Sequence, residues 1–223
     1  MRTCDVWWAD PALARPAHLA LLNADELDRY SALRRPADRD RFAIAAALLR
    51  LVCADAIGLP AQQVPVDRAC ARCERPHGRP TIPGYGLHVS VSHSGRRVAI
   101  ATGPVPLGVD VEEITPIALG DLAEPTLGPG EAVGRVEEFF TYWTRKESAM
   151  KATGDGLAVP LSGILVSRPQ EPARLVAYQT RPGLVATMRD LRPGTGYAAA
   201  LTLLADGPWQ VRERDATRLL ADA

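Results

Sequence analysis

One acid and one base on a single helical face are the first residues in this chain whose types and spacing could do chemistry. They lie in Phe139-Phe140-Thr141-Tyr142-Trp143-Thr144-Arg145-Lys146-Glu147-Ser148-Ala149-Met150-Lys151, ahead of Ala152-Thr153-Gly154-Asp155-Gly156. At roughly 100° per residue, Trp143, Glu147 and Lys151 drift slowly round one face of a helix, while Phe139, Phe140 and Met150 give it apolar surface to bury. Glu followed one turn later by Lys is also the favourable order for an ordinary surface pair. The helix alone supports both readings.

A second segment, Leu107-Gly108-Val109-Asp110-Val111-Glu112-Glu113, alternates with period two. A strand there sets Val109 and Val111 on one face and Asp110 and Glu112 on the other. Asp-x-Glu is common on solvated faces, so this signal is weak by itself. If strand and helix converge, however, Asp110, Glu112 and Glu147 collect three carboxylates. That donor set suits a hard divalent cation, Mg²⁺ above all, with retained waters and substrate phosphate oxygens completing its shell. Arg41, Arg79, His93 and Lys151 are available as phosphate partners, and a metal plus fixed cations is the equipment of chemistry on a diphosphate. His93 sits in Ser92-His93-Ser94 at a hairpin tip, where a histidine is ordinarily just exposed.

The elements that must position these groups can be read from pattern. Val6 to Ala9 predicts a short strand, and His18 to Arg34 a largely helical stretch with Leu19, Leu22 and Leu27 as its apolar positions. Pro36 opens a stronger helix: proline suits the first turn, Asp38 and Asp40 the positive end, and Phe42, Ile44, Ala45, Leu48, Leu49, Leu51 and Val52 carry the apolar content as far as Gly58-Leu59-Pro60. Cys53 within it reads as a small buried hydrophobe. Leu87 to Ser92 and Arg97 to Ala101 read as a hairpin turning at Ser94-Gly95. The Pro- and Gly-rich run from Thr115 to Gly130 predicts loop and short helix. Ile164 to Ser167, Leu175 to Gln179, Val185 to Arg189 and Tyr197 to Leu204 predict strands of an antiparallel sheet, and Trp209 to Ala223 a strand or helix. Helices and antiparallel strands without regular βαβ alternation place the chain in the α+β class.

Composition bounds the partners. With 223 residues, 47% of them hydrophobic, the chain can bury a real core. Its 26 basic and 26 acidic side chains leave no global field, so neither nucleic acid nor an anionic membrane is expected as main partner. The opening residues are too short and polar for the apolar region of a signal peptide, and no stretch approaches a membrane span. A cytoplasmic protein is expected, its four cysteines thiols rather than disulfides. Cys70-Ala71-Arg72-Cys73 with His77 invites a zinc reading, yet one such pair is half a structural site, and Cys4 is the only other thiol outside a helix core. Arg75 and Arg79 on the same loop suit phosphate recognition.

Taken together, Gly108-Val109-Asp110-Val111-Glu112 and Trp143-Thr144-Arg145-Lys146-Glu147-Ser148-Ala149-Met150-Lys151 resemble the two-part signature of the 4′-phosphopantetheinyl transferases, with the spacing of the surfactin-synthetase type. His77-Gly78-Arg79-Pro80 and Val91-Ser92-His93-Ser94-Gly95 resemble two further segments of that type. The resemblance implies two similar α+β subdomains in a pseudo-dimer, residues 1–105 and 106–223, with coenzyme A bound between them. It implies transfer of the 4′-phosphopantetheine arm of coenzyme A to a serine of an acyl or peptidyl carrier protein, as in polyketide or nonribosomal peptide synthesis, releasing adenosine 3′,5′-bisphosphate. By motif, Asp110, Glu112 and Glu147 hold Mg²⁺; Glu147 and Lys151 are catalytic; Arg41, Arg79, Ser92, His93 and Lys151 contact coenzyme A. Arg79 stands where the family usually has lysine, which keeps the charge and alters the geometry. Glu131 resembles a third acidic position near the metal and, with Glu147 or a water, is a candidate base. The carrier is expected to dock near Ile117, Leu119, Leu122 and Leu127, and the enzyme to be a monomer. Two rivals remain: a Mg²⁺-dependent hydrolase of a nucleotide diphosphate, and a non-catalytic binder of coenzyme A or carriers.

Overall fold

The computed structural model describes residues 2–70, 73, 78–117 and 119–223, with the backbone alone for Asp121 and Leu157. His77, Arg75 and the residues flanking Cys73 lie outside the described residues. In chain order the elements are β1 (Arg2–Ala9), α1 (Pro16–Leu19), α2 (Ala24–Ala32), α3 (Pro36–Ile57), β2 (His88–Ser94), β3 (Arg97–Gly103), β4 (Leu107–Glu113), α4 (Leu119–Thr126), α5 (Val136–Thr153), β5 (Ile164–Val166), β6 (Leu175–Tyr178), β7 (Thr187–Asp190), β8 (Tyr197–Leu203), β9 (Trp209–Asp215) and α6 (Thr217–Ala221), with short 3₁₀ turns between. This is an α+β fold. It divides into two compact units, one of Cys4–Pro104 with Val211–Ala223, the other of Val105–Gln210 with the first three residues.

The first unit is organised by α3. Pro36 fixes the first turn, Asp38 faces the positive end, and Gly58 takes φ 71° so that its N–H can return to the Ala54 carbonyl at 2.9 Å. One face of α3, through Ile44, Leu48, Leu49 and Val52, packs with Val89, Val98 and Ile100 of a four-stranded sheet of order β2-β3-β1-β9. Its opposite side, Ala46 and Ala47, meets Leu21 and Leu22. The small alanines let neighbours approach on two sides, which is why the helix lacks the polar stripe of a surface helix. Arg50 is nevertheless fully enclosed, 2% exposed. Its guanidinium donates to Glu26 Oε2 at 2.9 Å and to the Val64 carbonyl at 3.1 Å.

The continuous helix expected over His18 to Arg34 is interrupted. Asn23 caps α2 by accepting from Glu26 N–H at 2.9 Å while Glu26 accepts from Asn23 N–H at 3.0 Å, a reciprocal box that starts a new helix where the apolar pattern runs straight through. Leu27, read as an apolar core position, is 37% exposed.

The second unit packs α5 across a three-stranded antiparallel sheet, β4-β8-β7, while β5 and β6 form a separate pair. The four strands expected in one sheet thus fall into two, because Tyr142, Met150, Ile164, Val166 and Tyr178 build a core on a further side of α5. Leu127, expected on the docking surface, packs against this core, whereas Leu122 on α4 is 41% exposed.

Gly108 sets the closeness of β4 and α5. A Cβ there would stand 2.1 Å from the Ser148 carbonyl oxygen and 2.4 Å from Ala152 N, both backbone atoms that cannot swing aside. Gly108→Ala is expected to lower unfolding free energy by about 3 kcal/mol, the upper part of the overpacking range, measured by urea denaturation. Wild-type stability would show that the two elements separate freely.

Candidate active site

Pleat and register put the acids of β4 on the side that α5 covers. Asp110 is buried, 2% exposed, and Lys151 Nζ donates to its Oδ1 at 2.6 Å. Lys151 therefore reaches across to the strand, and the surface pair along the helix is not its whole role. Cross-strand, Asp110 faces Ala200 and Glu112 faces Ala198. Glu147 is half-buried, and its carboxyl is pushed up to about 7 by burial and by the negative charges of Asp110 and Glu112, against the opposing pull of Lys151. The repulsion is itself evidence that the three carboxylates share one region. Among the described residues no three His, Cys, Asp or Glu side chains are gathered tightly enough to hold a metal ion as they stand. The donor type, all carboxylate oxygen with crowded negative charge, fits a hard cation rather than a soft one.

Several residues near this site have partners that the sequence pattern does not reveal. Lys146 is completely buried; its ammonium pairs with Glu131 and donates to the carbonyls of Thr126 at 2.8 Å and Leu161 at 3.1 Å. Glu131 also accepts from the N–H groups of Gly128 at 2.8 Å and Val166 at 3.0 Å. Both its oxygens are engaged in holding loops together. Arg145, equally buried, forks onto Asp190 at 2.9 and 2.6 Å and donates to the carbonyls of Ser167, Arg168 and Glu171. Ser148 and Thr202 hydroxyls meet at 2.7 Å in the interior, pinning α5 to β8 beside Glu147. Trp143 lies against Phe139, ring centroids 5.8 Å apart, as packing that supports the helix.

The loop after α5 is fixed by Asp155. Arg181 forks onto it at 2.9 and 2.6 Å, and Tyr178 Oη donates to it at 2.9 Å. The Arg181 hydrogen bonds hold the Asp155 carboxyl down at about 2. Because the folded value is depressed, the contribution is full above the ordinary carboxylate value and is lost as pH falls through about 2. Asp155→Asn is expected to melt at a lower temperature than wild type at neutral pH, and the gap to close in strong acid. A gap unchanged by acid would discount the ion pair.

In the other unit, Arg41 Nη1 donates to the Gly95 carbonyl at 3.2 Å, and the same guanidinium pairs with Asp38. This brings Arg41 to the two-residue turn that ends β2 and starts β3 (Ser94 opposite Arg97), next to His93. Ser92 is buried and His93 exposed. As successive strand residues, they leave opposite faces of β2. Arg79, exposed on its loop, lies near His88 at the start of β2, where burial and the Arg79 charge push the His88 imidazole down.

A sequence model of the 4′-phosphopantetheinyl transferase superfamily matches residues 106–202, a span that includes Asp110, Glu112, Glu147 and Lys151. The chain is 30% identical over 205 residues to the 4′-phosphopantetheinyl transferase HetI of Nostoc sp., covering 86% of this chain and 81% of that protein. It belongs to the 4′-phosphopantetheinyl transferase superfamily. Identity is 27% over 157 residues to a 4′-phosphopantetheinyl transferase of Bacillus subtilis, covering 66% of this transferase and 67% of that one. To the 4′-phosphopantetheinyl transferase Sfp of Bacillus subtilis strain 168 it is 31% over 128 residues, 48% of this chain and 57% of that protein. None of the transferase's described helices is long and apolar enough to cross a membrane.

Proposed function

We propose that this transferase moves the 4′-phosphopantetheine arm of coenzyme A onto a serine hydroxyl of an apo acyl or peptidyl carrier protein, in polyketide or nonribosomal peptide synthesis, acting as a cytoplasmic monomer. The observation that carries the reading is the buried Asp110 holding Lys151, one turn along α5 from a half-buried Glu147. The serine oxygen attacks the phosphorus that bears the pantetheine arm; a P–O bond forms, the diphosphate bridge breaks, and adenosine 3′,5′-bisphosphate departs. Glu147 takes the serine proton, directly or through a water it orients. Lys151, aimed by Asp110, neutralises or protonates the departing phosphate. Asp110, Glu112 and Glu147 would hold Mg²⁺, whose charge, when bound, stabilises the diphosphate oxygens. Arg41, Arg79, Ser92 and His93 contact coenzyme A, the first two as guanidinium partners of its phosphates. Exposed Leu122 on α4 offers the carrier an apolar contact.

Incubation with coenzyme A, Mg²⁺ and a panel of apo carrier proteins tests this by mass spectrometry. A carrier serine should gain the phosphopantetheine mass; hydrolysis of coenzyme A with no carrier modified would favour the hydrolase instead. No product from a folded enzyme ends the reading.

A further inference from the structure

We propose that Thr202 is a positioning residue of the transferase: its buried hydroxyl, acting through Ser148, fixes the roll of α5 about its own axis and so sets where Glu147 and Lys151 stand. The role rests on the coenzyme A reading. Thr202 and Ser148 are both fully enclosed, 0% exposed, and their hydroxyl oxygens lie 2.7 Å apart. A serine hydroxyl has a single proton to give. That of Ser148 goes to the Arg145 carbonyl at 2.8 Å, so Thr202 donates and Ser148 accepts.

The strands beneath α5 give this one contact its leverage. Register sets Gly108 opposite Thr202, Asp110 opposite Ala200 and Glu112 opposite Ala198. Residues two apart on a strand share a face, so the three pairs form one row, in which β8 supplies two alanines and then the Thr202 hydroxyl. A buried hydroxyl is costly unless it is bonded. At Gly108 the helix comes so close that a Cβ would stand 2.1 Å from the Ser148 carbonyl oxygen and 2.8 Å from Lys151 Cβ. Such packing is non-directional, whereas a hydrogen bond fixes an angle. Ser148 thus meets a steric stop on β4 and a directional tie on β8. The other polar ties of this segment, Arg145 to Asp190 and Lys146 to Glu131, run through long side chains whose torsions can follow a small roll. The Ser148 hydroxyl, one bond from Cβ, cannot.

Glu147 and Lys151 stand about 100° and about 60° round the helix from Ser148, on the same side, so both move with any roll. Helical side chains reach about 5–6 Å from the axis, and a roll of about 10° carries their tips about 1 Å. Lys151 Nζ lies 2.6 Å from Asp110 Oδ1, a contact that a shift of that size breaks. Misplacing a reacting group by about 1 Å costs about 10²-fold in rate. Thr202 touches neither group. It acts on them through the helix.

Thr202→Val keeps the shape and deletes the donor; Thr202→Ser keeps the donor and deletes a methyl group. With coenzyme A, Mg²⁺ and an apo carrier protein, Thr202→Val should lower kcat about 10-fold or more while KM for coenzyme A holds, and Thr202→Ser should recover most of the loss. Ser148→Ala, which removes the acceptor on the helix, should match Thr202→Val. A second readout needs no turnover. Lys146 and Lys151 are the only lysines in the sequence, and Lys146 is wholly buried, so acetylation of the native enzyme by acetic anhydride, followed by peptide mapping, reports on Lys151. Its rate should rise in Thr202→Val, as the ammonium leaves Asp110, and return in Thr202→Ser. The role is overturned if Thr202→Val or Ser148→Ala keeps wild-type kcat, if Thr202→Ser loses as much as Thr202→Val, or if kcat falls while Lys151 acetylates at the wild-type rate. A wild-type enzyme that modifies no carrier would end the coenzyme A reading instead, and the acetylation rates alone would then decide whether Thr202 sets the place of Lys151.

Discussion

Lys151→Ala is expected to lower kcat by about 10²–10³-fold, the usual consequence of removing one group that stabilises developing charge, with little change in KM for the carrier. Lys151 touches the acidic region and stays partly open, its side chain 30% exposed against 3% for Asp110. One flank of the ammonium is held by Asp110 Oδ1 at 2.6 Å. Lys151→Arg should recover only part of the loss, because a planar fork cannot place one proton where a compact ammonium does. Asp110→Asn should lower kcat as well, since it frees Lys151 to wander and removes a carboxylate from the proposed magnesium site. Steady-state phosphopantetheinylation with each variant decides. Wild-type kcat in Lys151→Ala would take the lysine out of the chemistry.

Lys146→Met carries the largest expected effect on stability. The ammonium is wholly enclosed and Glu131 opposite is 5% exposed, so deletion leaves a buried carboxylate facing two carbonyls that have lost their donor. Breaking a buried pair from one side costs about 3–5 kcal/mol. Burial alone pushes the Lys146 ammonium down and the Glu131 contact opposes it, which marks the pair as mutually dependent. The double change Lys146→Met with Glu131→Gln should therefore regain part of the loss, read as a rise in denaturation midpoint over the single variant. A phosphate-binding Lys146 would behave otherwise: kcat or KM would fall while the denaturation midpoint held. Because Lys146 ties Thr126, Glu131 and Leu161 together, its loss should also expose this region to hydrogen exchange.

Periodicity and capping made much of the framework legible in the sequence. The span of α3 follows from Pro36 and Gly58, the β2–β3 hairpin from alternation around Gly95, and the common side of Asp110 and Glu112 from the two-residue repeat of β4. That Glu147 and Lys151 share a face is likewise local geometry, set by 3.6 residues per turn. Local rules also misled where a stronger local signal intervened, as when the Asn23–Glu26 box restarted the helix that the leucine pattern carried through.

What only the tertiary structure decided is which charges point inward. Arg145 and Lys146 adjoin Glu147 in one helical segment, and nothing in their spacing separates structural cations from an acid proposed to be catalytic. The distinction comes from partners distant in sequence: Asp190 for Arg145, the loop at Glu131 for Lys146, Thr202 for Ser148, Asp110 for Lys151. Gly108 reads in the sequence as part of a motif; in the fold it is the point where two backbones come too close for any side chain. The acids and the lysine were recognisable one element at a time because secondary structure repeats locally. Their convergence, and the raised carboxyl of Glu147, were not, because burial and charge proximity are set by contacts between elements that no local period encodes.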